Sequence, residues 1–191
     1  MSYQAAEYHC RLGKVAPAHG ANAPHRTTRF PHRLLIYLAL KFLHIIGAIL
    51  FLGNITTGVF WKAHADKSRN PVIIAHALDG VIRSDRLFTI PGVIMIVAAG
   101  VAAAIVGGIP LLRTEWVAGG IILFTIAGIA FSARVAPLQR QMRDLARANA
   151  DPATFDWAAY ERLSRGWAIW GSVALLAPLA AAALMVFKPS W

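Results

Sequence analysis

A single histidine, His44, lies near the middle of a long apolar stretch that runs from Leu34 to Phe60. About 20 apolar residues are enough to cross the hydrocarbon core of a bilayer as one α-helix. An imidazole at that depth costs free energy, so it indicates either a functional site or a hydrogen-bonded contact between helices. Imidazole is also a standard axial ligand of haem iron, so haem ligation is the chemistry that His44 could carry.

Four further residues share one face of this predicted helix with His44. Successive residues are ~100° apart on a helix, and offsets of three, seven, ten and fourteen place in one stripe Gly47, Phe51, Asn54 and Gly58. Glycine lets a neighbouring helix backbone approach closely, and a buried asparagine needs hydrogen-bond partners. We therefore predict that the stripe faces other helices and that the leucine and isoleucine side chains of the stretch face lipid.

The composition of the whole chain is that of a small membrane protein. Of its 191 residues 57% are hydrophobic, and the mean hydropathy is +0.53, which is too apolar for an ordinary soluble domain. The expected fold class is all-α: a polytopic membrane protein with a bundle of four transmembrane helices. The predicted spans are about residues 34–60, 87–109, 115–135 and 167–187, within one membrane domain at residues 34–188.

Residues 1–33 are predicted to form an irregular polar tail. They contain three prolines and show neither helical nor strand periodicity. The spacing of His9, His19, His25 and His32 fits no common metal-ligand pattern. Cys10 is the only cysteine, so no disulfide can form within the chain. No secretory signal opens the sequence, and the first helix is expected to remain as an anchor.

Two long charged loops, residues 61–87 and 136–166, separate the predicted spans. Both contain apolar residues at helical spacing, so we expect amphipathic helices at the membrane interface. The pair Asn70-Pro71 is typical of a helix start, and residues 137–150 are predicted to extend the third helix out of the membrane.

The distribution of Lys and Arg predicts the orientation in a bacterial inner membrane. The loop between the first two spans has five, the segment at residues 134–165 has six, and the loop between the second and third spans has one. The positive-inside rule therefore places both long loops in the cytoplasm and both termini outside, although the arginines that precede the first span, Arg26, Arg29 and Arg33, favour the opposite orientation. The net charge of +10 favours contact with anionic lipid headgroups over binding of nucleic acid.

Four more side chains join His44 in the candidate haem site. Asn54 is the polar group in its stripe, and Met95 in the second span is a candidate sulfur ligand. Arg83 and Arg86 could bind a porphyrin propionate or a lipid phosphate, because arginine binds such groups bidentately. The alternative is that these arginines and Asp85 form a solvated ion pair at the interface. For His44 the alternative is a neutral ring hydrogen-bonded to Asn54 or to a helix carbonyl.

Three segments, at residues 41–54, 85–95 and 138–146, resemble an uncharacterised family of bacterial four-helix integral membrane proteins. The resemblance covers most of residues 34–188. It implies the four-helix membrane fold without implying an activity.

A more distant resemblance links the first two helices to the HemJ-type protoporphyrinogen oxidases and to copper-resistance D-type membrane domains. It rests on His44 in the first helix and on Thr89, Pro91 and Gly100 in the second. In the oxidases the histidine is tied to haem b together with a lysine in the third helix. Residues 116–135 of this chain contain neither lysine nor histidine. The resemblance therefore implies that His44 is a haem ligand, and it offers no counterpart of the third-helix lysine.

Two functions are compatible with these patterns. The first is a haem-b-binding membrane protein with a redox or porphyrin-related role. The second is a non-catalytic accessory subunit that docks into a larger membrane complex or associates with itself. No nucleophile–base–acid constellation or phosphate loop is present, so no catalytic residue is assigned and enzymatic activity stays open. A transporter is disfavoured because His44 is the one ionisable residue near the middle of a predicted span and four helices leave little room for alternating access.

Overall fold

The computed structural model describes residues 32–189, and all regular structure in that range is helical. Four long helices follow one another: α1 (His32–Lys67), α2 (Pro71–Val106), α3 (Glu115–Ala148) and α4 (Trp157–Phe187). Each is long and apolar enough to cross a membrane, which confirms the predicted fold class. The predictions about Cys10 and the histidines before His32 lie outside the described residues.

The helices α2 and α3 run without a break from charged sequence into apolar sequence. Each contains one π-helical turn at this transition, Asp85–Thr89 in α2 and Phe131–Val135 in α3. The amphipathic helices expected in the long loops, Pro71–Ser84 and Ala136–Ala148, are therefore extensions of α2 and α3. This confirms the predicted extension of the third helix beyond residue 137, and it places residues 71–84 in the same helix as the second span instead of in a separate surface helix.

Prolines immediately follow both π-turns. Pro91 comes six residues after the start of the first turn, and Pro137 comes six residues after the start of the second. Proline lacks an N–H group, and its ring clashes with the carbonyl four residues earlier in a regular α-helix. In both helices that carbonyl belongs to the π-turn, where the hydrogen bonds reach one residue further. This arrangement lets each helix pass a proline and continue.

The four charged helix ends lie together and share one core. We call this part the polar end; it comprises residues 61–85 and 134–167. The side chains of Ile74, Leu78 and Met142 are fully buried there, and Tyr160 and Trp167 pack against the same cluster. The connection between α1 and α2 is short because Asn70 caps α2: its side-chain oxygen accepts the N–H groups of Val72 and Ile73. This cap confirms the helix start predicted at Asn70-Pro71.

The remaining residues of the four helices form the apolar half, which consists of two helical hairpins. Helix α1 packs along the later part of α2, and the first part of α3 packs along α4. The backbones of α1 and α2 cross closely at two glycines: a Cβ atom on Gly47 would lie 3.0 Å from the carbonyl oxygen of Gly92. The rings of Phe51 and Phe124 connect the two hairpins, with centroids 5.5 Å apart.

Candidate functional site

The ring of His44 lies between α1 and α2. Its Nδ1 is 2.8 Å from the carbonyl oxygen of Ile96. Gly100 makes room for the ring, since a Cβ atom at that position would lie only 2.7 Å from Nδ1. A carbonyl can only accept, so Nδ1 carries a proton and donates, and in this tautomer Nε2 is the nitrogen with a free lone pair. His44 thus has a fixed tautomer, and its contact is a helix carbonyl rather than Asn54.

The stripe on α1 faces α2, as predicted. Gly47, Phe51 and Gly58 are buried, and the polar members of the stripe, His44 and Asn54, hydrogen-bond to α2. The leucine and isoleucine side chains exposed along α1 include Leu35, Leu43 and Ile49. The spacing of small and polar residues was sufficient to find this interface.

A polar cluster lies at the boundary between the polar end and the apolar half. The Nδ2 atom of Asn54 donates to Asp85 Oδ1 at 3.0 Å and to Thr89 Oγ1 at 2.9 Å. The hydroxyl of Thr89 donates to the same carboxylate oxygen, and Gln139 Nε2 on α3 lies 3.3 Å from Asp85 Oδ2. Asp85 is 8% exposed. A carboxylate buried among neutral donors from three helices is a group with a specific role in assembly or chemistry.

The interpretation of Asp85 as half of a solvated ion pair is wrong. Arg83 and Arg86 are exposed, whereas Asp85 points inward. At ~100° per residue, Arg86 lies about 100° and Arg83 about 200° from Asp85 around the helix, so the three side chains cannot share one face. The three charged residues are close in sequence, but the Asp85 carboxylate is buried between helices and both arginines are on the exposed surface of α2.

Gln139 was missed as a member of this cluster, although the sequence carries a signal for it. It lies on the buried stripe of α3 with Val135, Met142 and Ala146, at offsets of four, three and seven residues. A polar residue on an otherwise apolar stripe is predicted to have a buried partner. The identity of that partner, Asp85, depends on the packing of α3 against α2.

A second polar cluster ties α1 to α4 in the polar end. Lys62 is only 3% exposed; its Nζ bonds to the carboxylate of Asp66 and lies 2.6 Å from Ser164 Oγ. The same ammonium group lies over the rings of Tyr160 and Trp167, 5.5 and 5.1 Å from their centroids. Lysine paired with a carboxylate is protonated and cannot accept a proton from the serine hydroxyl. The arrangement is therefore a crosslink and not a nucleophile with its base.

Tyr160 completes the Lys62 cluster, since its hydroxyl donates to Asp66. Burial raises the pKa of Tyr160, and the hydrogen bond and negative charge of Asp66 raise it further. Tyr160 is in the charged first turns of α4, outside the apolar half. It consequently stays neutral and keeps its proton on the Asp66 side at any physiological pH.

The structure does not bring the predicted haem-site residues together. Along α2, Arg86 precedes Ile96, the partner of His44, by ten residues, or ~15 Å at 1.5 Å per residue. Asn54 is also ten residues from His44. Met95 is half-buried near the close crossing at Gly47. His44 and Met95 thus belong to one level of the hairpin, and Asn54 and the arginines belong to another.

Two small cavities lie between the hairpins. One of about 60 Å³ is apolar and is lined by residues such as Phe51, Val93 and Phe124. The other, of about 20 Å³, is lined by residues that include Asp85, Gln139 and Trp167. His44 lines neither of them. Ligand pockets usually measure ~300–1,000 Å³, so these cavities are too small for a porphyrin.

The described residues contain no site that could bind a metal ion through side chains alone. Within residues 32–189 no three His, Cys, Asp or Glu side chains are grouped so that they could hold an ion. A porphyrin differs because its ring supplies four nitrogen ligands to the iron and needs one or two more from protein. His44 can supply one.

The sequence was compared with families, characterised proteins and solved structures. A family model described as a predicted integral membrane protein, DUF2269, matches residues 38–189. No characterised protein and no solved structure matches. The match does not show similarity to HemJ-type oxidases or copper-resistance D-type domains, so that resemblance stays a hypothesis. With four helices able to span a bilayer and a match over most of its length, the chain belongs to the DUF2269 family of predicted integral membrane proteins.

Proposed function

We propose that this multi-pass membrane protein binds haem b on the α1–α2 hairpin, with His44 Nε2 as the axial ligand. The observation that carries the proposal is the hydrogen bond from His44 Nδ1 to the Ile96 carbonyl at 2.8 Å. Metal-binding histidines in proteins almost always donate their other ring N–H to a carbonyl or a carboxylate, which fixes the ring and raises its basicity. His44 has this arrangement, and the residue is half-buried.

The chain favours a haem at the surface of the hairpin. The two cavities between the hairpins are too small for one, and His44 lines neither of them. The haem would therefore be covered on its outer side by lipid or by another polypeptide. His44 would hold the haem, and Met95 is the other side chain at this level that could contact it. When bound, haem supplies one-electron redox chemistry, which gives the protein its redox or porphyrin-related role.

Arg83 and Arg86 have a different role in this proposal. They are exposed at the transition between the charged and the apolar parts of α2, ~15 Å along the helix from the His44 level. This is the depth at which arginine meets lipid phosphates. We propose that they bind anionic headgroups and do not reach a porphyrin propionate.

The visible absorption spectrum tests haem binding. Full-length protein is purified in detergent from haem-replete cells, titrated with hemin, and assayed for a Soret band. His44→Ala should abolish the band, and Gly100→Ala should weaken it because the added Cβ displaces the ring without removing the imidazole. His76→Ala removes an exposed histidine of the polar end and should bind haem as the wild type does. A wild-type protein that retains no Soret band once the unbound hemin has been removed would overturn the proposal.

An accessory subunit of a larger membrane complex is the second candidate. The observation that favours it is the exposure of α1: 11% of its apolar window is buried, against 22–28% for the other three helices. A further transmembrane helix could cover this surface. Copurification of a stoichiometric partner from native membranes, with a colourless protein, would favour this candidate over haem binding.

We also infer that the polar end is cytoplasmic and the membrane a bacterial inner membrane, because the Lys and Arg residues concentrate there. In a Cys10→Ser background, His76→Cys reports on the charged start of α2, Ala150→Cys on the turn between α3 and α4, and Leu112→Cys on the opposite end. An impermeant maleimide should label the first two only in inverted vesicles and Leu112→Cys only in right-side-out ones. The reverse pattern would invert the orientation, whereas labelling of 76 and 150 from opposite sides would contradict the fold.

A further inference from the structure

We infer that a single water molecule is bound where the four helices meet, held between the Asp85 carboxylate and the indole N–H of Trp167. The inference is independent of the haem proposal, because His44 does not line this place. It rests on a cavity, on an unpartnered buried donor, and on the chemistry of the side chains that line the cavity.

The cavity has a contribution from every helix. It measures about 20 Å³, and its polar lining is Asn54 of α1, Asp85 of α2, Gln139 of α3 and Trp167 of α4. A cavity needs ~10–15 Å³ to admit one water molecule, so this one admits one and not two. Buried waters are typically retained where they reach two to four polar groups. The lining meets that condition.

Trp167 provides the second observation. Its side chain is 7% exposed, and its Nε1–H has no hydrogen-bond partner among the described residues. Leaving a buried donor unsatisfied is unfavourable, and buried donors in native proteins are nearly always paired with protein or water. Trp167 and Asp85 line the same cavity, and we infer that the indole N–H reaches Asp85 through one water placed there.

The lining selects water over an ion. Asp85 offers an acceptor with negative charge, which repels an anion. The indole N–H is a donor only: it has no lone pair to offer a metal cation, and its hydrogen carries a partial positive charge. Water alone can accept from the indole and donate to the carboxylate at once. The Asn54 and Gln139 amide groups already donate to Asp85, so the carboxylate oxygens are held in place for this contact.

The bound water extends a hydrogen-bonded network across the whole bundle. Without it, the Asp85 cluster connects α1, α2 and α3, and α4 is outside the cluster. With it, Trp167 brings α4 into the network at the level where the apolar half begins. The ring of Trp167 also lies under the ammonium group of Lys62, and this cation–π contact joins the network to the second polar cluster.

Indole NMR of the full-length protein tests the site. Deuterated protein with ¹⁵N-labelled tryptophan gives one Hε1 signal per indole, and Trp167→Phe assigns the relevant signal. NOE and ROE spectra to the water resonance distinguish a bound water from proton exchange by the relative sign of the cross-peaks. Trp157, whose Nε1 donates to the Pro152 carbonyl at 3.1 Å, is the reference for an indole bonded to protein.

We expect a dipolar cross-peak between Trp167 Hε1 and a long-lived water. Asp85→Leu, which removes the acceptor and fills the cavity, should abolish it while the Trp157 signal stays in place. Absence of a dipolar water contact at Trp167 in the wild type would overturn the inference, as would its persistence in a folded Asp85→Leu variant. If Asp85→Leu does not fold, the wild-type spectrum decides alone.

Discussion

The polar end and the apolar half of this protein are stabilised by different means. In the polar end, all four helices contribute buried side chains to one core, among them large ones such as Met142 and Tyr160. Charged side chains there bond to residues of neighbouring helices, as Asp66 does to Tyr160. In the apolar half, each hairpin closes on its own through glycines, aromatic rings and a few polar contacts. Burial of apolar area stabilises only where water competes, so helices in lipid depend on close packing and hydrogen bonds.

This contrast teaches where each kind of substitution should matter. The polar end should respond to lost volume and to unpaired charge, as a soluble domain does. The apolar half should respond to added volume at the helix crossings and hardly at all to changes on its lipid-facing side. Two substitutions and a change of pH test this contrast, and their expected effects decrease in that order.

Asp66→Ala should destabilise the polar end most. It leaves the ammonium of Lys62 buried without its counter-charge and removes the acceptor of Tyr160. Breaking one side of a buried pair costs ~3–5 kcal/mol; the partial exposure of Asp66 places the expected loss near ~3 kcal/mol. Thermal unfolding followed by circular dichroism measures it. Asp144→Ala, which removes the partner of Arg143 at the surface, is the control and should change stability by less than ~1 kcal/mol.

Gly47→Ala should damage the apolar half without altering the polar end. The new methyl group would lie 3.0 Å from the backbone oxygen of Gly92 and 3.0 Å from the nitrogen of Ile96, neither of which can move alone. Overpacking of this kind costs ~1–3 kcal/mol. Gly53→Ala is the matched control on α1, because a Cβ there meets nothing within 4 Å. Equal stability of the two variants would contradict the close crossing.

Alkaline pH should weaken the polar end through Tyr160. Its pKa is raised in the folded protein from the ordinary value of 10.0, chiefly by burial. The neutral form is therefore favoured by folding: the stability that it contributes is present below pH 10 and is lost as the pH rises above that value. Subtracting the unfolding curve of Tyr160→Phe from that of the wild type isolates this residue. A difference that stays constant up to pH 11 would contradict the burial of the hydroxyl.

The sequence predicted the class of fold and one interface because both depend on local periodicity. Apolar length predicted four spanning helices, and the spacing of His44, Gly47 and Gly58 predicted the face of α1 that packs on protein. The start of α2 at Asn70-Pro71 was also predictable, since a cap is a local structure. These features need no knowledge of which helix lies beside which.

The features that the sequence did not predict depend on pairing between distant residues. Asp85 lies between two exposed arginines in sequence, and only the packing of α1 and α3 against α2 shows that it is buried with Asn54 and Gln139. The extension of the third helix over residues 137–150 was predicted, whereas the charged segment before the second span was expected to be an amphipathic helix at the membrane interface. The π-turns that let α2 and α3 continue past their prolines have no readable sequence signal.

The repeated π-turn and proline have a mechanical consequence for the molecule. Both disrupt the regular hydrogen-bond ladder, so bending stiffness is lowest there, at Asp85–Thr89 in one hairpin and at Phe131–Val135 in the other. The two flexure points lie beside the rigid core of the polar end, which acts as a common base. Small rotations about them are amplified over the ~25 Å lever arm that residues 90–106 form at 1.5 Å per residue. Because α1 and α4 pass these levels without a π-turn of their own, each of the two flexure points can bend only together with the neighbouring helix of its hairpin.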